Sequence, residues 1–208
     1  VLHAATLLVI LIYFRRDIVE IASSALAFNF KSKQGRITPF ILIGTAPVAI
    51  LGLLLYDYYT TLLNLKILGI CFVASGIFVA ASKIRKEDVN AVSAKTALLI
   101  GLAQALALTP GFSRSGLTIG AALLAGVERE EAFRFSFLLY IPAVLGGLIL
   151  TLMRSGLEST LIPPLLLGGA AAALVGYLTL SILRRLLLRG FFHLFGFYAI
   201  AAGLLLLL

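Results

Sequence analysis

Thr109-Pro110-Gly111-Phe112-Ser113-Arg114-Ser115-Gly116 interrupts an otherwise apolar stretch from Thr96 to Val127, and the reading of this segment decides the fold. Proline lacks a backbone donor and disfavours helix at the residue before it, here Thr109. Gly111 can take the left-handed conformation that closes a helix, and Ser113 or Ser115 can cap the next one. The flanking runs Thr96–Leu108 and Leu117–Val127 would reach about 20 and 16 Å as helices, short of a hydrocarbon core of about 30 Å. The natural reading is two half-helices meeting at a polar tip. A single kinked span, or two short helices joined by an aqueous loop, are the alternatives.

Outside this segment, Ile37–Tyr56, Leu62–Ala81, Phe133–Met153, Leu161–Leu183 and Phe191–Leu208 are each long and apolar enough to span a bilayer. Hydrophobic residues make up 61% of the chain and charged residues 12%, with a mean hydropathy of +1.10. A soluble domain carries about 25% charged residues, so these polar groups are too few to cover a water-facing surface. The composition specifies an all-α, polytopic membrane protein. The net charge of +8 does not indicate nucleic acid, because the basic residues form short clusters between apolar runs, as cytoplasmic loops do. Cys71 is the only cysteine, which leaves no disulfide framework and no Cys/His metal cluster.

Charge placement separates the hairpin from the kinked span. If the chain enters and leaves Thr96–Val127 on one side, 14 of the 17 Lys and Arg residues fall on one face. Only Lys66 and Arg154 lie opposite, with Arg114 inside. A full crossing gives 10 against 6. The positive-inside bias favours the first arrangement: a re-entrant hairpin over 96–127, entering from the cytoplasm. Tyr56, Tyr58 and Tyr59 then fall at the outer boundary, where aromatic belts form. The opening run ends at Phe14, short for a span, and is read as the end of a helix whose start is cut away; a brief leader is the alternative. The expected architecture is about six transmembrane helices plus one re-entrant hairpin, within a single transmembrane domain over 1–208.

Arg114 is the one charged residue at membrane depth in this arrangement. An arginine at the centre of a spanning helix costs roughly 2.5–3.5 kcal/mol on insertion scales, so its presence calls for a function. Ser113 and Ser115 flank it, Gly116 permits close backbone approach, and Thr118 follows one turn later. If the helix begins near Ser115, the hydroxyls of Ser115 and Thr118 share a face of its first turn. Broken-helix ends expose N–H groups to an anion, and a guanidinium fork suits phosphate. The residues alone indicate an anion pocket, with a cytoplasmic turn against lipid headgroups as the plainer alternative. His3, His193 and Cys71 are read as structural, and Glu128, Glu130 and Glu131 as a charged loop rather than ligands.

Pro110-Gly111-Phe112-Ser113-Arg114-Ser115-Gly116-x-Thr118 resembles the second signature of the bacitracin-resistance type undecaprenyl-diphosphatases. The resemblance continues through Gln104-Ala105-Leu106, Phe135-Ser136-Phe137-Leu138-Leu139, Pro142 and Tyr13-Phe14-Arg15-Arg16. It implies an inverted-repeat fold, of which this chain resembles the end of the first half and the whole second half. It also implies a multi-pass protein of the cell membrane that hydrolyses undecaprenyl diphosphate, the lipid carrier of peptidoglycan synthesis, to undecaprenyl phosphate. Arg114, Ser113, Ser115 and Thr118 are the expected catalytic residues, with Gly111, Gly116 and Arg114 at the substrate. A divalent cation, magnesium or calcium, is expected for the complete enzyme. Its carboxylate ligands belong to the family's first hairpin and have no counterpart here, so this chain alone is expected to be inactive. The expected partners are a polyprenyl diphosphate lipid and the membrane, without nucleic acid; a homodimer is left open. A secondary transporter or lipid flippase with an anion site at the tip is the rival function, and a membrane subunit with no site the plainest.

Overall fold

A computed structural model describes residues 2–29, 35–55, 64–83, 91–155 and 162–208. Among them the chain forms nine helices: α1 Leu2–Tyr13, α2 Arg15–Leu26, α3 Ile37–Leu54, α4 Leu65–Ala81, α5 Ala94–Leu106, α6 Arg114–Leu124, α7 Arg129–Ser155, α8 Ile162–Leu188 and α9 Leu194–Leu207. Tyr56, Tyr58 and Tyr59, expected at the outer boundary, lie outside the described residues.

The protein is a polytopic helical membrane protein. By length and apolar composition, α3, α7 and α8 can each cross a bilayer, and α4, α5 and α9 are shorter apolar helices. Large apolar side chains point outward along them, Leu42, Ile50, Ile70, Val175 and Leu205 among them. In water that surface would be untenable; in lipid it is the outer wall.

Paired contacts fix the direction of each helix. Between α4 and α9, a Cβ on Gly69 would meet Leu207 at 2.8 Å, and one on Gly76 would meet the Gly196 carbonyl at 2.6 Å. The two helices therefore run antiparallel with their backbones nearly touching. Gly69 and Gly76, like Gly196 and Gly203, are two helical turns apart, so each pair lies on one face. In α3 and α5, a Cβ on Gly101 would stand 2.3 Å from the Gly44 carbonyl, while Gly52 lies beside Leu108, so these two run parallel. Arg184 of α8 holds Glu130 of α7 through Nε and Nη2 at 3.0 and 2.8 Å, and Arg134 of α7 pairs with Asp17 of α2. These contacts gather the ends of α1, α4, α6 and α8 and the starts of α3, α5, α7 and α9 at one end of the bundle, with the clustered basic residues.

Two elements depart from the sequence reading. Arg15–Leu26 forms a helix of its own, α2, following directly on α1, with Ile18 and Ile21 packed on the core and Val19 and Leu26 exposed. Its polar face gave no spanning signal. The segment Arg129–Arg134 belongs to α7 rather than to a loop, with Glu130 and Glu131 in the first turn, where acidic side chains favour the N-terminal end of the helix dipole.

The core lies where α1, α5, α6 and α7 meet. Ile100, Ile119, Phe133, Phe135 and Leu139 are almost fully enclosed. Phe14 stacks on Phe137 at 6.0 Å, and Phe133 meets Phe137 at 4.8 Å, fastening the end of α1 to the start of α7. Pro142 withholds the N–H that Leu138 would bond within α7. One residue on, the Gln104 amide of α5 donates to the Leu139 carbonyl at 3.5 Å.

Candidate functional site at the hairpin tip

Helices α5 and α6 begin and end at the basic end of the bundle and meet at a tip inside it. Ser93 opens α5 with a capping box: its Oγ accepts from Thr96 N at 3.2 Å while Thr96 Oγ1 accepts from Ser93 N at 2.7 Å. At the far end Thr109, Pro110 and Gly111 turn the chain, and Gly111 adopts φ +97°, the left-handed region expected of it. A Cβ there would also lie 2.7 Å from the Leu68 carbonyl and 2.9 Å from Cys71 Cβ. Gly111 thus seats the tip against α4, about 16 Å along that helix from Ser82 at its basic end.

Ser113 is the N-cap of α6, and its Oγ accepts from Gly116 N at 3.1 Å. The Leu117 N–H goes to the Ser113 carbonyl at 2.8 Å. The first is one of the amides that a helix start leaves over, and the second is the first regular bond of α6. Ser113 is exposed and Ser115 half-buried, and the Ser115 side chain makes no hydrogen bond within the described protein.

Thr118 is 1% exposed, and its hydroxyl donates to the Arg114 carbonyl at 2.9 Å. The helix starts at Arg114, one residue before the expected start, and the Thr118 hydroxyl turns back into it. Gly116 is buried, with its N–H on Ser113 and its Cα face against Val79. The expected site residues divide accordingly: Ser113, Arg114 and Ser115 face the tip, while Gly111, Gly116 and Thr118 shape it from behind.

Arg114 emerges half-buried from the first turn of α6, and its guanidinium carbon lies 5.2 Å from the centroid of the Tyr140 ring on α7. That is within cation–π range. The Tyr140 hydroxyl lies 3.4 Å from Thr6 Oγ1 of α1, so the supporting ring is held from a third helix. The sequence reading passed over Tyr140, although it is the sole tyrosine in the run Phe133–Met153. Near this junction two enclosed polar atoms, Gln104 Oε1 and Ser136 Oγ, have no hydrogen-bond partner among the described residues. His193 bonds the Gly190 carbonyl through Nδ1 at 3.0 Å, at the basic end and away from the tip. The side chain of His3 lies outside the described residues.

The donors at the tip, a guanidinium and two hydroxyls, suit an anion and do not by themselves fit a divalent cation. The described residues contain no cluster of three or more His, Cys, Asp or Glu. Asp17 and Glu130 are paired with arginines at the basic end.

A multi-pass membrane protein with an arginine-bearing hairpin folded back into its helices is the class this geometry defines. Residues 1–205 match the family described as bacitracin resistance protein BacA. The undecaprenyl-diphosphatase of Korarchaeum cryptofilum is 38% identical over 214 residues, covering 99% of this chain and 81% of that protein. That of Geobacter sulfurreducens is 40% identical, covering 97% and 79%. Undecaprenyl-diphosphatase 2 of Bacillus thuringiensis is 34% identical, covering 99% and 80%. The chain belongs to the BacA family.

Proposed function

We propose that this protein is a phosphatase of the plasma membrane that hydrolyses undecaprenyl diphosphate to undecaprenyl phosphate and inorganic phosphate. The substrate comes from the names of the relatives above, and the residues at the tip suit its headgroup. The observation that carries the reading is the position of Arg114, projecting from the capped start of α6 and braced by Tyr140.

In the net reaction water adds to the terminal phosphorus, the bond to the bridging oxygen breaks, and the lipid monophosphate leaves with that oxygen. Charge shifts onto the bridging and terminal oxygens as the bond loosens. The Arg114 fork donates to two of those oxygens and gains most where charge accumulates, in the transition state. Ser113 and Ser115 can each donate a further hydrogen bond, and Ser115 is the freer nucleophile because one lone pair of the Ser113 oxygen is taken by the Gly116 N–H. A serine nucleophile would make the reaction two displacements, with a phosphoserine that water then cleaves. Gly111, Gly116 and Thr118 support the substrate indirectly, by setting the shape of the tip. A magnesium or calcium ion remains part of the proposal, with ligands other than the tip residues, and no step above runs through it.

The direct test, on the complete enzyme as are the turnover measurements below, is phosphate release from a polyprenyl diphosphate after reconstitution, with and without magnesium or calcium. Loss of release in Arg114→Ala under conditions where wild type is active is the expected result. Equal release would remove Arg114 from the chemistry.

A further inference from the structure

Gln104 is fully enclosed in the last turn of α5. Its Nε2 donates to the Leu139 carbonyl of α7 at 3.5 Å, and its Oε1 has no partner among the described residues. An amide side chain offers two donor hydrogens and two acceptor lone pairs, so most of the capacity of this one is unused. A half-satisfied polar group in a packed interior contributes less to stability than an apolar side chain of the same shape. The reason for a glutamine here lies in the one group it holds.

That group is the peptide from which Tyr140 hangs. Leu139 C=O and Tyr140 N–H belong to one planar unit, and the Tyr140 ring centroid lies 5.2 Å from the Arg114 guanidinium carbon. Two residues further on, Pro142 lacks the N–H that would close the helix ladder onto Leu138. The α7 backbone is therefore least held by its own helix close to where the ring is attached. Its neighbours supply the restraint. A Cβ on Gly44 would stand 2.9 Å from Leu139 Cδ1, so the Leu139 side chain is fixed against α3. The Tyr140 hydroxyl reaches Thr6 of α1 at 3.4 Å. Gln104 adds a hold on the backbone between those two side chains.

Both arms of the hairpin thus meet α7 on consecutive residues. Gln104 of α5 takes the Leu139 carbonyl, and Arg114 of α6 lies over the Tyr140 ring. Rotation of α7 about its proline would carry the ring away from the guanidinium, and the amide opposes that rotation.

We propose that Gln104 is a positioning residue: it fixes the Leu139–Tyr140 peptide and, through the Tyr140 ring, sets where the Arg114 fork stands. No contact between Gln104 and substrate is involved. The inference rests on the role given to Arg114 in the phosphatase reading, but the placement of the guanidinium is measurable without turnover.

The test uses the complete enzyme and Gln104→Met, which keeps the side-chain length and removes the amide. Turnover is expected to fall about two- to tenfold, the usual worth of one hydrogen bond, with KM unchanged. The melting temperature is expected to hold or rise, because an unpaired acceptor leaves the interior. In a Tyr140→Leu background the same change is expected to cost less than about twofold, since the ring it acts through is gone. In parallel, the Arg114 Nε resonance of protein labelled on arginine, assigned by its loss in Arg114→Lys, reports the ring current of Tyr140. In Gln104→Met it is expected to move toward its position in Tyr140→Leu. An unmoved resonance, unchanged turnover, full additivity with Tyr140→Leu or a fall in melting temperature would overturn the proposal and leave Gln104 a packing residue. If the double variant does not fold, the resonance decides. If the wild-type enzyme releases no phosphate, the phosphatase reading fails, and the resonance still tests the hold on α7.

Discussion

The Arg114 guanidinium carbon lies 5.2 Å from the centre of the Tyr140 ring, so the basic residue of the hairpin is braced by a different helix. A cation–π contact is worth about 0.5–2 kcal/mol, or roughly 2- to 30-fold in rate if it holds Arg114 in its reactive position. Tyr140→Leu is expected to lower kcat within that range with KM little changed. Tyr140→Phe, which keeps the ring and loses only the long contact to Thr6, is expected to stay within about twofold of wild type. Equal losses in the two variants would mean that the hydroxyl matters and the ring does not.

Arg114→Lys keeps the charge and removes the fork. Two aligned donors become one mobile ammonium, so turnover is expected to fall at least about 100-fold while Arg185→Lys stays near wild type. Steady-state phosphate release from a polyprenyl diphosphate measures both. Near-normal turnover in Arg114→Lys would reduce Arg114 to a headgroup anchor.

Ser113 and Ser115 are separable because only Ser113 caps the helix. Ser113→Ala is expected to lower stability by about 1 kcal/mol, with faster amide exchange at Gly116. Ser115→Ala is expected to leave melting unchanged and to reduce turnover. The prediction fails if Ser115→Ala destabilises the fold more than Ser113→Ala.

The α4–α9 contact leaves no room for side chains at Gly76 or Gly196. Gly76→Leu is expected to cost at least about 1–3 kcal/mol from overpacking, visible in detergent melting curves. Gly146 of α7, with nothing within 4 Å of its Cβ position, should accept alanine without loss. A normal melting curve for Gly76→Leu would place α9 elsewhere.

Sidedness is tested by cysteine labelling of intact cells. Arg185→Cys is expected to be shielded from impermeant reagents, and Lys66→Cys, at the exposed start of α4, to react. Labelling at position 185 from outside would contradict the same-side ends of the hairpin.

The hairpin was legible in the sequence because Pro110, Gly111 and Ser113 carry local conformational rules that hold whatever surrounds them. Such rules do not say what faces what. Tyr140 sits in an apolar run where any ring would be unremarkable, and its role arises only because α7 passes beneath the tip. Thr118 looked like a substrate donor by spacing, yet its hydroxyl bonds the Arg114 carbonyl, since a buried threonine at membrane depth finds its own helix first. Helix α2 was missed because Arg15, Arg16, Asp17 and Glu20 mask an amphipathic pattern in a search for spans. The glycines at 69, 76, 196 and 203 carried a usable signal, two pairs with the same seven-residue spacing, which becomes meaningful only once α4 and α9 are set against each other.

That glycine contact also sets a schedule for synthesis. The hairpin tip rests on α4, and α4 is backed by α9, yet 120 positions of chain separate Gly76 from Gly196. At ribosomal rates of about 5–20 residues per second, α4 waits roughly 6–24 s for its partner. During that interval its bare glycine face is covered only by lipid or by the insertion machinery, and α6 has already been made against a support that is not yet locked. The site is therefore among the last parts of the protein to become rigid, and a ribosome stalled before Gly196 would leave an inserted chain with Arg114 in place and its footing loose.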